Sequence, residues 1–169
     1  MRVSKKSYDG AEFGTHLHEL MSRIGSLDEC DTEQLLAEYL ASSEVPAEMT
    51  EDFSSVFRNA VASPDAAALL SRPGEHAELW REKKFAIRMN EKLISCVFDR
   101  VDVIRDPDGK VQKVRIVDYK SDNSDDPEYF RTKYGDQLAV YAEVLQRLFG
   151  IVPEKNIFIL RSGKTLLLD

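Results

Sequence analysis

Apolar residues recur with a helical period over roughly the first seventy positions and with extended patterns over most of the remainder. From Ala11 to Ile24 the residues Phe13, Leu17, Leu20, Met21 and Ile24 fall on one helical face. Asp31-Thr32 supplies an N-cap region for a second helix, Glu33 to Ala41, with Leu35, Leu36, Tyr39 and Leu40 as its stripe. Thr50 precedes a third helix that runs through Ala62, and Asp65 to Leu70 reads as a short fourth, closed by Pro73-Gly74. The pattern then turns extended, over Ala77 to Met89 and over Ile94 to Ser121. A long helix comes next, from about Pro127 to Phe149, and then a strand pair, Asn156 to Leu160 and Thr165 to Leu168, about Ser162-Gly163. Helices, three strands, one helix and two strands predict an α/β or α+β arrangement. The reading is a single domain over 1–169, with a helical segment at 1–75 and a sheet core at 76–169.

Within Ile94 to Ser121 two apolar strand patterns flank Asp108-Gly109, a dipeptide suited to a tight turn whose two central residues need positive φ. If the turn centres there, residues whose numbers sum to 217 face one another. Val101 then meets Ile116, Val103 meets Val114, and Asp99 meets Asp118 on that same apolar face. Like charges directly opposite one another destabilise a hairpin. Two carboxylates followed by Lys120 therefore call for a cation, and a metal site accounts for them most simply.

At 169 residues, 43% hydrophobic and 31% charged, the chain is long enough to bury a core and has a globular composition. No apolar run approaches the roughly 20 residues of a membrane span, and the opening residues do not read as a signal peptide. Cys30 and Cys96, the only cysteines, suggest a reducing compartment, hence the cytoplasm, and cannot form a four-cysteine iron–sulfur site. No phosphate-binding G-x-x-x-x-G-K-[ST] pattern is present, so no ATP site is expected. The net charge of −7 is uneven: residues 1–80 hold 6 Lys/Arg against 15 Asp/Glu, whereas residues 81–120 hold 11 against 7. The basic stretch is the one with the paired aspartates, so an acidic chain does not exclude a nucleic-acid substrate, although a solvated charged sheet face explains the excess equally well.

Other residues could join the site. His18 follows Gly14 by one helical turn, and the missing side chain at Gly14 would let that helix approach another backbone or a ligand. Glu82 opens Glu82-Lys83-Lys84-Phe85 on the first strand, in phase with Lys84. Gln137 and Tyr141 lie one turn apart on the long helix, able to hydrogen-bond a phosphate, a water or a base. Each also has an ordinary reading, as a surface histidine, a cross-strand charge partner or a polar helix edge.

Taken in order, Gly14-Thr15-x-x-His18, Glu82-x-x-Phe85, Phe98-Asp99-Arg100-Val101, Val117-Asp118-Tyr119-Lys120-Ser121 and Gln137-x-x-x-Tyr141 resemble the PD-(D/E)XK nuclease superfamily. The likeness is to the C-terminal nuclease domain of the RecB and AddA helicase–nucleases, grouped with UvrD/Rep-type helicases, and it covers about residues 10 to 165. It implies a restriction-endonuclease-like α/β fold, a central mixed sheet flanked by helices with an extra N-terminal helical segment. It also implies one or two Mg²⁺ or Mn²⁺ ions held by His18, Asp99, Asp118 and the Tyr119 carbonyl, with Lys120 as the catalytic lysine. Gln137, Tyr141, Glu82 and Thr15 would support the site or the DNA strand. The implied activity is phosphodiester hydrolysis in DNA break processing, as an exonuclease linked to or associated with a helicase. The rival expectations are a catalytically silent nucleic-acid-binding module of the same fold and a docking domain that uses the acidic helical half. Cys96 stands where the family often has glycine.

Overall fold

The structure, a computed structural model, describes residues 8–169. Four helices come first: α1 (Gly10–Ser22), α2 (Thr32–Ser42), α3 (Ala47–Ala62) and α4 (Pro64–Leu70), with a 3-10 turn at Leu27–Glu29. Then come β1 (Ala77–Met89), β2 (Lys92–Arg105), β3 (Val111–Lys120), α5 (Pro127–Phe149), β4 (Glu154–Ile159) and β5 (Lys164–Leu168). Side-chain caps start most of the helices: Asp9 accepts from the Ala11 N–H, Asp31 from Gln34, Ser63 from Ala66 and Asp126 from Glu128. α3 begins a turn before the expected Thr50, because Pro46 presets the entry and Ala47-Glu48-Met49 are good helix formers. Among the described residues no helix is long and apolar enough to cross a membrane.

The strands form one mixed sheet in the order β1-β2-β3-β4-β5, antiparallel throughout except for the parallel pair β3–β4, which α5 connects. A parallel pair needs such a crossover. The helices of the first half pack on one face of the sheet, burying Phe13, Leu17, Phe53 and Phe57 with Val117, Tyr119 and Phe158. α5 covers the other, burying Phe130, Leu138 and Leu145 with Val101, Val103, Ile116 and Ile157. This is the α/β architecture expected from the element order.

The β2–β3 register is the expected one, with Val101 opposite Ile116 and Val103 opposite Val114. The turn is not. Of Asp108 and Gly109 only Gly109 has positive φ, at 85°. The connection is a wider loop in which Asp106 N–H donates to the Lys110 carbonyl and the Asp106 carboxylate accepts from the Asp108 and Lys110 N–H groups. A register shift between Ile104 and Arg105 compensates, so the sum of 217 holds inside the sheet despite the different loop. The tight turn with two positive φ values lies elsewhere, at Asn90-Glu91 (48° and 65°), between the paired Met89 and Lys92.

Neither reading of the basic stretch anticipated its two interior arginines. Arg100 donates to the carbonyls of Ile24, Gly25 and Leu70, and Arg115 to those of Ala68 and Leu69. The carbonyls of Ala68, Leu69 and Leu70 are in the last turn of α4, where a helix leaves acceptors unsatisfied and partial negative charge, and those of Ile24 and Gly25 follow the end of α1. Asp102, 1% exposed, lies between the two guanidinium groups, 2.7 Å from Arg115 and 3.5 Å from Arg100. The helical half is thus fastened to the sheet by buried charge as well as by apolar packing.

Candidate active site

The β1–β2 and β2–β3 ladders both fail at one place. β1 pairs with β2 on either side of Glu82 and Asp99 but not at them, and Glu82 has a φ of +46°. Strand alternation breaks here as well: Cys96 and Phe98 share the α5-side core with Val101 and Val103, which are out of step with them. Asp99 follows the phase of the outer hairpin. The expectation that it shares a face with Val101 and Val103 is therefore corrected, and the cause is the break at Glu82. Pairing of β2 with β3 stops at Arg100–Val117. One step further on, the Tyr119 N–H donates not to a strand carbonyl but to the Asp99 carboxylate, at 2.8 Å.

Asp118, which keeps the phase of Ile116, is buried at this opening, and the two acids influence each other. The Asp99 carboxyl is pushed up to about 8, first by burial and then by the Asp118 charge, against the lowering effect of the Tyr119 N–H. Lys120 Nζ lies 2.7 Å from Asp118 Oδ2, but not in hydrogen-bond alignment, so that oxygen is buried without a hydrogen-bond partner. His18 reaches in from α1, its Nδ1 3.8 Å from Asp99 Oδ2, and it contacts the Tyr119 main chain. Burial, only partly offset by Asp118, lowers its pKa and favours the neutral ring that a metal requires. Glu82 is raised by partial loss of water and by Asp118, although its side chain remains largely exposed.

The remaining expected residues divide between two places. Gln137 Oε1 accepts from Lys120 Nζ at 3.4 Å, and Gln137 Nε2 donates to the Tyr141 hydroxyl at 3.3 Å, so both α5 residues reach the site through Lys120. Thr15 lines the cleft, with its hydroxyl bonded back to the Ala11 carbonyl. That open cleft, of about 580 Å³, brings together Thr15, His18, Glu82, Asp99 and Lys120, but not Asp118, Gln137 or Tyr141. Gly14 permits the approach of α1 as expected: a Cβ there would lie 2.7 Å from Ser121 Oγ. His16 is on another face, bonded to the Tyr39 hydroxyl at 2.7 Å.

Sequence reasoning missed Asp122 and undervalued Tyr134. Lys120 Nζ sits 4.0 Å above the Tyr134 ring, and the Tyr134 hydroxyl donates to Asp122, which also takes Lys133 and the Tyr129 hydroxyl. The only signal was the run of tyrosines and lysines ahead of Gln137.

Among the described residues no three His, Cys, Asp or Glu side chains converge to metal-coordinating distance. The donor types nevertheless suit a hard divalent cation: carboxylate oxygens, one of them orphaned and buried, with a neutral imidazole and a main-chain carbonyl alongside.

Two antiparallel ladders opening at a pair of acids, with a lysine two residues beyond the second, make up the candidate active site of this α/β fold. The family profile of the PD-(D/E)XK nuclease superfamily matches residues 2–167, and the chain belongs to that superfamily. It is 29% identical over 168 residues to an ATP-dependent helicase/nuclease subunit from Streptococcus equi subsp. zooepidemicus (strain MGCS10565), an alignment that covers 96% of this chain and 13% of the relative. The protein of the same name from Streptococcus uberis is 31% identical over 172 residues, covering 95% of this chain and again 13% of the relative. The chain thus corresponds to roughly an eighth of the length of these relatives.

Proposed function

We propose that residues 1–169 form one nuclease unit that hydrolyses DNA phosphodiester bonds with a divalent cation, acting as an exonuclease beside a UvrD/Rep-type helicase in double-strand-break repair, in the cytoplasm. The observation that carries this reading is the Asp99–Asp118–Lys120 constellation. It leaves a buried carboxylate oxygen without a hydrogen-bond partner and holds a second acid far above its ordinary pKa, at the edge of an open cleft. A fold has no structural use for such a pair, and perturbed acids in a cleft mark function.

In this reading Asp99, Asp118, His18 and the Tyr119 carbonyl hold Mg²⁺ or Mn²⁺. An ion held there would supply Lewis-acid stabilisation of the phosphate and would lower the pKa of an attacking water. Lys120, held by Gln137 and Tyr134, orients that water and offsets charge building on the phosphate oxygens. Gln137 and Tyr141 keep the lysine in place, and Glu82 and Thr15 line the path of the strand. Recognition through phosphates makes binding salt-dependent and weakly sequence-specific.

The test uses end-labelled single-stranded and duplex DNA and a circular substrate, with Mg²⁺, Mn²⁺ or EDTA. Wild type should degrade the linear substrates only when metal is present and spare the circle. Lys120→Ala and Asp118→Ala should lose roughly a hundredfold or more, the scale of removing one electrostatic stabiliser. Equal behaviour of wild type and Lys120→Ala under every condition rejects the nuclease reading and leaves a silent nucleic-acid-binding module.

A further inference from the structure

Beyond Glu82 and Asp99, strands β1 and β2 continue as a hairpin that closes at Asn90-Glu91. One face packs inward with Phe85, Ile87, Ile94 and Cys96 against the core under α5. The other carries the cross-strand pairs Lys84–Val97, Ala86–Ser95 and Arg88–Leu93, and all six residues are exposed. Leu93 is 69% exposed and Val97 42%, which makes them unusual among the chain's large apolar side chains. Alternation places Glu82 and Asp99, two positions back from Lys84 and Val97, on this same face, and both line the cleft. The face is therefore a continuation of the cleft floor, running about 20 Å from Glu82 to Arg88 at the usual strand rise.

Its charge is distinctive. Most cations of the basic stretch are engaged: Arg100, Arg115 and Lys120 inside, Arg81 on the carbonyls of Ser22 and Arg23, Arg105 with Glu78 and Lys113 with Glu154. Among the described residues the two cations of this face, Lys84 and Arg88, form neither an ion pair nor a side-chain hydrogen bond. Uncompensated cations that alternate with exposed aliphatic side chains suit a polyanion with apolar faces. A single nucleic-acid strand offers both, phosphates to the cations and unpaired bases to Leu93 and Val97, whereas a duplex hides its base faces.

We propose that this outer face of the β1–β2 hairpin is the track along which a single strand of the DNA substrate lies as it enters or leaves the cleft. The proposal rests on the nuclease reading for its substrate, and its test needs no catalysis. Binding of a fluorescein-labelled single-stranded oligonucleotide would be followed by anisotropy in EDTA across a salt series. Replacing Lys84 and Arg88 together by Gln should weaken binding at least about tenfold at 0.1 M salt. It should also reduce the slope of log affinity against log salt by about 1.4, since each phosphate contact to a single strand contributes about 0.7. Leu93→Ala with Val97→Ala should weaken binding severalfold and leave that slope unchanged. Lys110→Gln with Lys164→Gln, at distant surfaces, should change little. The single Arg88→Gln variant repeats the test with the least disturbance of the hairpin.

The proposal is overturned if the Lys84→Gln, Arg88→Gln double variant binds like wild type, if the distant variant loses as much, or if wild type does not bind. Metal-dependent cleavage by wild type together with unimpaired binding by that double variant would reject the track and spare the nuclease reading. That result would point to a protein surface as the occupant of the face. Hairpin-dependent binding without any cleavage would do the reverse.

Discussion

Strand β2 carries two buried acidic sites three residues apart, and their surroundings differ in the cations they provide. Asp102 is enclosed by Arg100 and Arg115, which also cap the ends of α1 and α4, so every charge there has a partner that serves the fold. Asp99 has one main-chain N–H, a neutral histidine and a second acid for company, and Asp118 has a single cation, Lys120 at 2.7 Å, which leaves its Oδ2 without an aligned hydrogen-bond donor. Burial is similar, and sequence spacing alone does not separate the two. What separates a structural acid from a functional one here is the balance of charge: two arginines enclose the one carboxylate of Asp102, whereas one lysine serves the two carboxylates of Asp99 and Asp118.

That contrast can be broken at either end. The largest effect should come from Asp102→Ala, which leaves two interior guanidinium groups uncompensated. A loss of about 3–5 kcal/mol is expected from urea unfolding, and a loss below 1 kcal/mol would mean the arginines find other partners. Next, Mn²⁺ at about a hundred times its Kd should stabilise wild type by about 2.7 kcal/mol in thermal unfolding and leave Asp118→Ala unmoved. Equal shifts in both proteins would place metal binding elsewhere.

Without metal, Asp99 works against the fold at neutral pH. Its folded pKa is raised from 3.8 to about 8, so it holds its proton more tightly in the folded state. The stability it allows is fully present below about pH 4 and is lost as pH rises towards 8. Asp99→Asn should flatten that decline and exceed metal-free wild type by about 1 kcal/mol at pH 8, or about 2–4 °C in Tm. A variant whose stability parallels wild type from pH 4 to 8 would contradict the shift.

The smallest effect belongs to Asp122, the acid beside the site that does have partners. Burial would raise its carboxyl, but Lys133, Tyr129 and Tyr134 hold it down at about 2. Its contribution is therefore present above about pH 4 and fades as pH falls to 2, with solvent screening limiting its size. Any Tm gap between wild type and Asp122→Asn at pH 6 should close over that interval.

Much of the site was legible because strand register is a matter of counting. The pairing of Val101 with Ile116 followed from the apolar alternation, and it survived a wrong turn assignment because a bulge restored the count. The proximity of His18, by contrast, was expected only from the family resemblance, since nothing in α1 announces which strand it will cross. The phase break at Glu82 was not legible at all: a glutamate at positive φ is disfavoured locally, and only the surrounding ladder enforces it. Arg100 and Arg115 looked like surface charge because their acceptors are carbonyls, and a sequence does not show where carbonyls point. Asp122 was missed for a related reason, since its partners come from the following helix.

The parallel pairing of β3 with β4 bears on when this site can exist at all. The β1–β2–β3 meander needs only near neighbours in sequence, whereas β4 reaches β3 after the 23 residues of α5 have crossed the sheet, and His18 comes from a hundred positions earlier. Contacts of such separation form late, after loop-closure entropy has been overcome. In pulse-labelled refolding the amides of the β1–β2 ladder are expected to gain protection before Leu160 N–H, which donates to the Lys120 carbonyl. Simultaneous protection would reject this order. A half-folded chain would then display its basic hairpin before α1 has brought His18 to the acids, able to hold a strand before it can act on one.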